Sequence, residues 1–254
     1  MILDSFSLDG RVALVTGANR GLGRAAAIAL AEAGADVAIL SRGDASATAD
    51  EIRALGRRAH LIGADLGTAT PEQLHAAVDE VVTELGRLDI LLNNAGTIRR
   101  APALEFAAQD WDDVLTVNLD AVFHLSQAAG RHMVPRGSGR ILNIASMLSF
   151  QGGILVPAYA ASKHAVAGLT KALANEWAAS GVTVNAIAPG YMETDNTAAI
   201  RADVEREKTI VARIPAGRWG ADRDLQGAVV FLASDAAAYV TGAILPVDGG
   251  WLVR

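Results

Sequence analysis

Cysteine is absent from this 254-residue chain. Disulfides are therefore excluded, and so is any zinc site built on thiolates. Cations are in deficit, 22 Lys and Arg against 28 Asp and Glu, and no basic stripe runs along any segment. That balance excludes a binder of nucleic acid or of anionic membrane surfaces. No uncharged apolar run approaches the ~18 residues needed to cross a bilayer. Asp4 and Asp9 stand where a signal peptide would need a basic start and an uncharged apolar core, so a cytoplasmic protein is expected. His60, His75, His124, His132 and His164 show no metal-ligand spacing, and no metal is expected. Nor is there a low-complexity tract, an internal repeat or a Pro/Gly/Ser-rich linker, which makes 1–254 one domain.

What is present alternates. Short apolar runs at Arg11–Thr16, Asp36–Leu40, Ala59–Ala64, Asp89–Asn93, Arg140–Ala145, Val182–Ala188 and Ala243–Val247 read as strands. Helical patterns fall between them at Arg24–Ala33, Ala45–Gly56, Pro71–Leu85, Asp110–Met133, Tyr159–Ala179 and Asp222–Ala233. Pro135 and Gly137 supply the stop signal for the long fourth helix. This order predicts an α/β fold, a Rossmann-like, doubly wound, seven-stranded parallel sheet with helices on both faces. A dinucleotide-binding part would occupy about 11–145 and a catalytic part about 146–254.

The first strand runs into Gly17-Ala-Asn-Arg-Gly21-Leu-Gly23 and then a helix. Glycines there permit a tight turn and a close backbone approach, while the new helix aims free N–H groups and its positive dipole end at a pyrophosphate. Ser41-Arg42 occupies the place, roughly twenty residues on, where Asp or Glu would bind the free ribose hydroxyl of NAD and Arg the phosphate of NADP. Arg20 adds a second guanidinium, so NADP is favoured over NAD, with the alternative that Asp44 takes the ribose instead.

Tyr159 and Lys163 are four residues apart on one helical face, and Ser146 closes an apolar strand thirteen residues before Tyr159. The lysine charge would favour the phenolate and draw Tyr159 down from its ordinary ~10, making it an acid/base whose substrate oxygen Ser146 also meets.

Thr16 to Gly23, Asn93-Asn-Ala-Gly96 and Tyr159 to Lys163, in this order, resemble the motifs of the short-chain dehydrogenase/reductase family, along essentially the whole chain. The resemblance implies hydride transfer between a nicotinamide and a carbonyl carbon, with Tyr159 as acid/base and Ser146 orienting the oxygen. Lys163 would tune Tyr159 and hold the nicotinamide ribose, and Asn118 would anchor a water chain to solvent. It further implies cofactor contacts at Gly17, Asn19, Arg20, Gly21, Leu22, Gly23, Ser41, Arg42, Asp65, Leu66, Asn93, Ala95, Gly96, Pro189, Gly190 and Thr194. A homotetramer is implied too, with Trp251 near an interface.

Ile98-Arg-Arg100, Ser146 to Gly153, Asn175-Glu-Trp177, Ala188 to Met192 and Arg213 to Gly220 resemble a branch of that family acting on deoxy sugar acids. That branch is usually associated with NAD, from which Ser41-Arg42 departs. A sugar acid needs a cation for its carboxylate, Arg99 or Arg100, and hydroxyl partners, here Gln151, Tyr191 and Asn196. A 3-oxoacyl thioester reductase shares the same catalytic set, although an acyl carrier would call for a basic patch and an apolar channel. A cofactor-sensing regulator is the non-enzymatic alternative, disfavoured by the intact Asn118, Ser146, Tyr159 and Lys163.

Overall fold

The computed structural model describes residues 1–254, apart from the side chains of Asn196 and Ala199. Seven strands, β1 (Val12–Thr16), β2 (Asp36–Ser41), β3 (Ala59–Gly63), β4 (Ile90–Asn93), β5 (Gly139–Ile144), β6 (Val182–Pro189) and β7 (Ile244–Val247), form one sheet. Its order is β3-β2-β1-β4-β5-β6-β7, and every adjacent pair is parallel. The helices are α1 (Gly21–Glu32), α2 (Ser46–Ala54), α3 (Pro71–Leu85), α4 (Ala108–Leu115), α5 (Ala121–Arg136), α6 (Pro157–Trp177), α7 (Asp195–Arg201), α8 (Val204–Arg213) and α9 (Arg223–Ala233).

Alternation along each strand divides the core. Ala13 and Val15 of β1, Ile90 and Leu92 of β4 and Leu142 and Ile144 of β5 join residues of α1, α2 and α9. Val12 and Leu14, Leu91, Ile141, Val182 and Val184 face α3, α5 and α6. A strand covered on both faces has no polar side, which is why these segments read as continuous apolar runs. Chain direction reverses its order of strands between β1 and β4, so the carboxyl ends of those two strands open the crevice in which such sheets hold ligands.

Local chemistry sets the boundaries. Thr70 caps α3 by accepting from the Gln73 N–H while the Gln73 side chain accepts from the Thr70 N–H, and Pro71 fills the first helical position. Gly86, at φ +89°, ends that helix.

Four departures from the sequence reading concern helices. The long fourth helix starts at Ala108 and is interrupted by a π turn, Thr116–Asp120, that joins α4 to α5. Pro135 does not stop α5, because it lies in the last turn, and the helix closes one residue short of Gly137 at φ +73°. The helix expected from Tyr159 begins at Pro157, placing Tyr159 in its first turn. Helices α7 and α8 were not anticipated; α8 is capped by Asp203, which accepts from the Arg206 N–H, and Ile210 is its one buried residue.

Candidate active site

The phosphate turn is shaped by what its glycines leave room for. Gly17 and Gly21 have φ of +67° and +54°, a region that favours glycine. A Cβ on Gly23 would fall on the Asn94 side chain and the Gly17 carbonyl. Asn94 itself laces β1 to β4: its Nδ2 donates to the Thr16 carbonyl at 2.9 Å, and Thr16 Oγ1 accepts from the N–H groups of Asn94 and Ala95 at 3.0 and 2.9 Å. Thr16 and Asn94 belong to the sequence motifs but were not among the expected site residues; their position inside the motifs was the available signal. The result is a backbone cradle ahead of the α1 N-terminus that fits the pyrophosphate of a dinucleotide.

Around the cradle, Leu22 packs against the α1-side core, and Ala95 and Leu66 belong to the α3-side core. Asn19 approaches Gly43, where an added Cβ would lie 3.0 Å from Asn19 Nδ2. Ser41 is buried and its hydroxyl donates to the Gly43 carbonyl at 2.7 Å, leaving the exposed Arg42 beyond it. Arg42 lies 3.4 Å from Asp65, whose other oxygen accepts from the Gly67 N–H. Arg20 pairs with Asp195 at 2.9 Å, and both are well exposed. Asp44 instead accepts from the Ser46 N–H and hydroxyl, bonds that hold its carboxyl below the ordinary range. Its commitment to the start of α2 weakens the alternative in which it binds the ribose.

Asn93 ends β4 at the crevice, but its side chain turns away from it. Its side chain is buried and donates to Ser126 Oγ and Asn143 Oδ1 at 3.1 and 2.9 Å, inside the sheet–helix core. Pro189 ends β6, and the Gly190 N–H donates to the Val247 carbonyl at 3.0 Å, so close to Asp248 that a Cβ would not fit. Thr194 caps α7.

The candidate catalytic groups converge from three elements. Ser146 follows β5 and caps a single 3-10 turn, Met147–Ser149, its Oγ accepting from the Leu148 N–H at 3.1 Å. Tyr159 and Lys163 come from α6, which sets the Tyr159 phenol within the influence of Ser146. Asn118 comes from the π turn: its Oδ1 accepts from the Thr97 N–H at 2.8 Å, and its Nδ2 donates to the Thr97 carbonyl and to Ser162 Oγ. Gly96 lies beside Asn118 and Lys163. Ser149, Ser162 and Thr97, which hold these groups, carry no signal in the sequence beyond proximity to the motifs.

Electrostatics here differ from the expectation. Lys163 is buried and its Nζ donates to the Ile144 carbonyl at 2.5 Å, 5.6 Å from the centre of the Tyr159 ring. Loss of hydration lowers its pKa to about 8. Burial likewise pushes the Tyr159 phenol up, opposed by the Ser146 hydrogen bond and the positive charge of Arg100. The downward pull on Tyr159 comes from Ser146 and Arg100.

Arg99 is tied to Asp110 and Asp113 at 3.2 and 3.4 Å and to Thr97 Oγ1. Arg100 is exposed, and its charge reaches Tyr159. Gln151 is half-buried after the 3-10 turn. Tyr191 stands edge-on to Trp219 and Trp251, with centroids 5.2 and 4.8 Å away. The side chain of Asn196 lies outside the described residues. Among the described residues no group of three or more His, Cys, Asp or Glu is placed to hold a metal.

A seven-stranded parallel sheet, a glycine cradle at its switch point and a Ser–Tyr–Lys–Asn cluster at the adjacent strand ends make a nicotinamide oxidoreductase site. The family model of the short chain dehydrogenases matches residues 11–205. The chain belongs to that family. This short-chain dehydrogenase is 53% identical, over the full length of both chains, to the 2-dehydro-3-deoxy-D-gluconate 5-dehydrogenase of Escherichia coli. It is 55% identical to the Bacillus subtilis protein of the same name, over 99% of this chain and 98% of that one. A crystal structure of a putative 2-deoxy-D-gluconate 3-dehydrogenase from Agrobacterium tumefaciens with bound NADP superposes with a TM-score of 0.92 at 55% identity, covering 99% of this chain and 100% of that chain. Like its relatives, this short-chain dehydrogenase is an NAD(P)-dependent oxidoreductase acting on CH–OH groups. No helix among the described residues is long and apolar enough to cross a membrane.

Proposed function

We propose that this enzyme interconverts a secondary alcohol and a ketone on a deoxy keto sugar acid of the 2-dehydro-3-deoxy-D-gluconate type, with NADP preferred. Arg100 carries the reading: a guanidinium whose charge reaches the acid/base tyrosine is where a substrate carboxylate would be held. Identity above half over full-length relatives with that activity supports it. The exposed Arg42 and Arg20, both at the cradle, support NADP.

When bound, the nicotinamide supplies the hydride donor or acceptor. The Ser146 hydroxyl accepts from the Leu148 N–H, and the proton it offers the Tyr159 phenol is offered instead to the substrate oxygen once that oxygen lies between them. In reduction Tyr159 gives its proton to that oxygen, and in oxidation it takes the proton back. A phenol raised by burial is a ready donor in the reducing direction, and the charge of Arg100 eases its loss of the proton. Both Nδ2 protons of Asn118 are committed to Thr97 and Ser162, so a water chain starting there would use its main chain. The side chain instead fixes the Thr97 backbone at the entrance to the arginine loop.

We place the enzyme in the cytoplasm as a homotetramer. Fully exposed Leu104 and Tyr239 and the partly exposed Trp111 and Phe123 are apolar surface that self-association would cover. Mass photometry of the purified protein tests this, and a monomer would overturn it.

The activity is tested by following reduced-nicotinamide absorbance with 2-deoxy-gluconate or a 3-deoxy-2,5-diketo-hexonate and either cofactor. Turnover with the sugar acid, faster with NADP, is expected. Tyr159→Phe should lower kcat at least about a hundredfold while cofactor affinity stays near wild type. A variant keeping most of its kcat would remove Tyr159 from the reaction.

A further inference from the structure

We propose that Ser149 is a positioning residue that fixes the separation between the Ser146 and Tyr159 hydroxyls. These two groups must meet one substrate oxygen, yet they ride on different elements. Ser146 is attached to the end of β5, and Tyr159 to the first turn of α6. Their spacing is therefore set by how α6 docks on the end of β5.

Buried Asn143 of β5 donates to Thr170 farther along α6, and near Tyr159 itself two further ties run through Lys163. One is the Nζ donating to the Ile144 carbonyl, at the last residue of β5. The other joins main chain to side chain: Ser149 Oγ donates to the Lys163 carbonyl at 2.7 Å and accepts from the Ser146 N–H at 3.3 Å. The Ser149 N–H donates in turn to the Ser146 carbonyl at 2.9 Å, so residues 146 and 149 grip each other from both ends. A closed loop results, from Ile144 through Lys163 and Ser149 to Ser146. Ser146, Ser149 and Lys163 are 7%, 8% and 4% exposed, so water does not compete for these bonds.

The Ser149 tie draws on no reacting side chain. It persists whatever the Lys163 amine does, whereas the Ile144 tie is lost whenever that amine turns elsewhere. A hydroxyl is required because a single side-chain atom must donate to one backbone and accept from another; alanine does neither, and threonine does both. The inference rests on the Ser–Tyr chemistry of the family and holds for any substrate.

The test compares Ser149→Ala with Ser149→Thr in the full-length enzyme. Ser149→Ala should lower kcat about tenfold with little change in the KM for NADP, since a misplacement well under 1 Å already weakens a shared contact. Because the Ser146 hydrogen bond opposes the rise of Tyr159, its loosening should move Tyr159 ionisation to higher pH. That is read by tyrosinate difference absorbance against Tyr159→Phe, which removes the contribution of Tyr191 and Tyr239. This titration needs no substrate, so it decides even where the deoxy sugar acid of the proposed function is not turned over. Ser149→Thr should restore both readouts. An unmoved Tyr159 titration in Ser149→Ala, or a threonine variant no better than alanine, would overturn the assignment.

Discussion

The Lys163 amine lies one helical turn from Tyr159, 5.6 Å from the ring centre, yet donates its hydrogen bond to the Ile144 carbonyl. Two groups that would each be stabilised by the other's charge are both driven toward neutrality by burial, Lys163 downward and Tyr159 upward. The pair is poised to move protons rather than locked as an ion pair.

Stability should therefore rise with pH on account of Lys163. Its pKa falls from an ordinary 10.5 to about 8 in the fold. Below about 8 both folded and unfolded chains carry the proton, and the full cost of a buried ammonium is present. Between about 8 and 10.5 the unfolded chain keeps a proton that the folded chain has shed, so the unfolding free energy should climb by up to a few kcal/mol. Tyr159 has the opposite sign, because above about 10 the unfolded chain ionises first and stability falls. Urea denaturation from about pH 7.5 to about 9.5 should show the climb in wild type and lose it in Lys163→Met. Equal slopes in both would eliminate burial of this amine as the cause.

The cofactor cradle should fail at Gly23 in a way that separates it from ordinary helix positions. A Cβ there collides with the Gly17 carbonyl and with Asn94, the residue that laces β1 to β4. The turn cannot widen without breaking those bonds. Gly23→Ala should lose at least about 2 kcal/mol of stability and weaken cofactor binding more than tenfold. Cofactor titration by intrinsic fluorescence together with a melting curve checks both, and wild-type binding would mean that the turn relaxes freely.

Much of this arrangement was legible beforehand because it depends on period and punctuation. β1, β4, β5 and β6 are buried on both faces and so appear as apolar runs, and α3 announces itself through Thr70, Pro71 and Gly86. The π turn was not legible, since Thr116–Asp120 continues a helical pattern and only the extra residue per turn swings Asn118 inward. Nor were α7 and α8, the latter a charged sequence whose one buried residue is Ile210. The direction of the Tyr159 shift was missed for a related reason: spacing places a lysine on the same face, but desolvation depends on what closes over it. Asn93 shows the same limit, sharing a motif with Asn94 and Gly96 while pointing into the core toward Ser126 and Asn143.

Cofactor preference should reside in Arg42. Its pairing with Asp65 at 3.4 Å and that of Arg20 with Asp195 are exposed, and exposed pairs are held by about 1 kcal/mol or less. A ribose phosphate, doubly charged and able to accept two bonds from one guanidinium, would displace either carboxylate. Arg42→Ala should therefore reduce kcat/KM with NADP at least about tenfold and leave the NAD value within about twofold. Equal losses with both cofactors would assign Arg42 to adenine stacking.

Adjacent arginines should prove unequal toward the substrate. Arg99 is held by Asp110, Asp113 and Thr97, and drawing it away would strand two carboxylates beside α4. Arg100 acts electrostatically on Tyr159, which places it where an anionic substrate must approach the reacting oxygen. Arg100→Gln should raise the KM for a deoxy sugar acid by about ten- to a hundredfold, the worth of a charge-assisted contact to a carboxylate, with a smaller effect on kcat. Because that guanidinium also opposes the rise of Tyr159, the same variant should move the alkaline limb of the pH profile upward. Arg99→Gln should change neither KM nor the limb appreciably, and a loss of thermal stability would be its main effect. The reverse ranking, with Arg99→Gln raising KM and Arg100→Gln silent, would shift the carboxylate site to the α4 side of the loop.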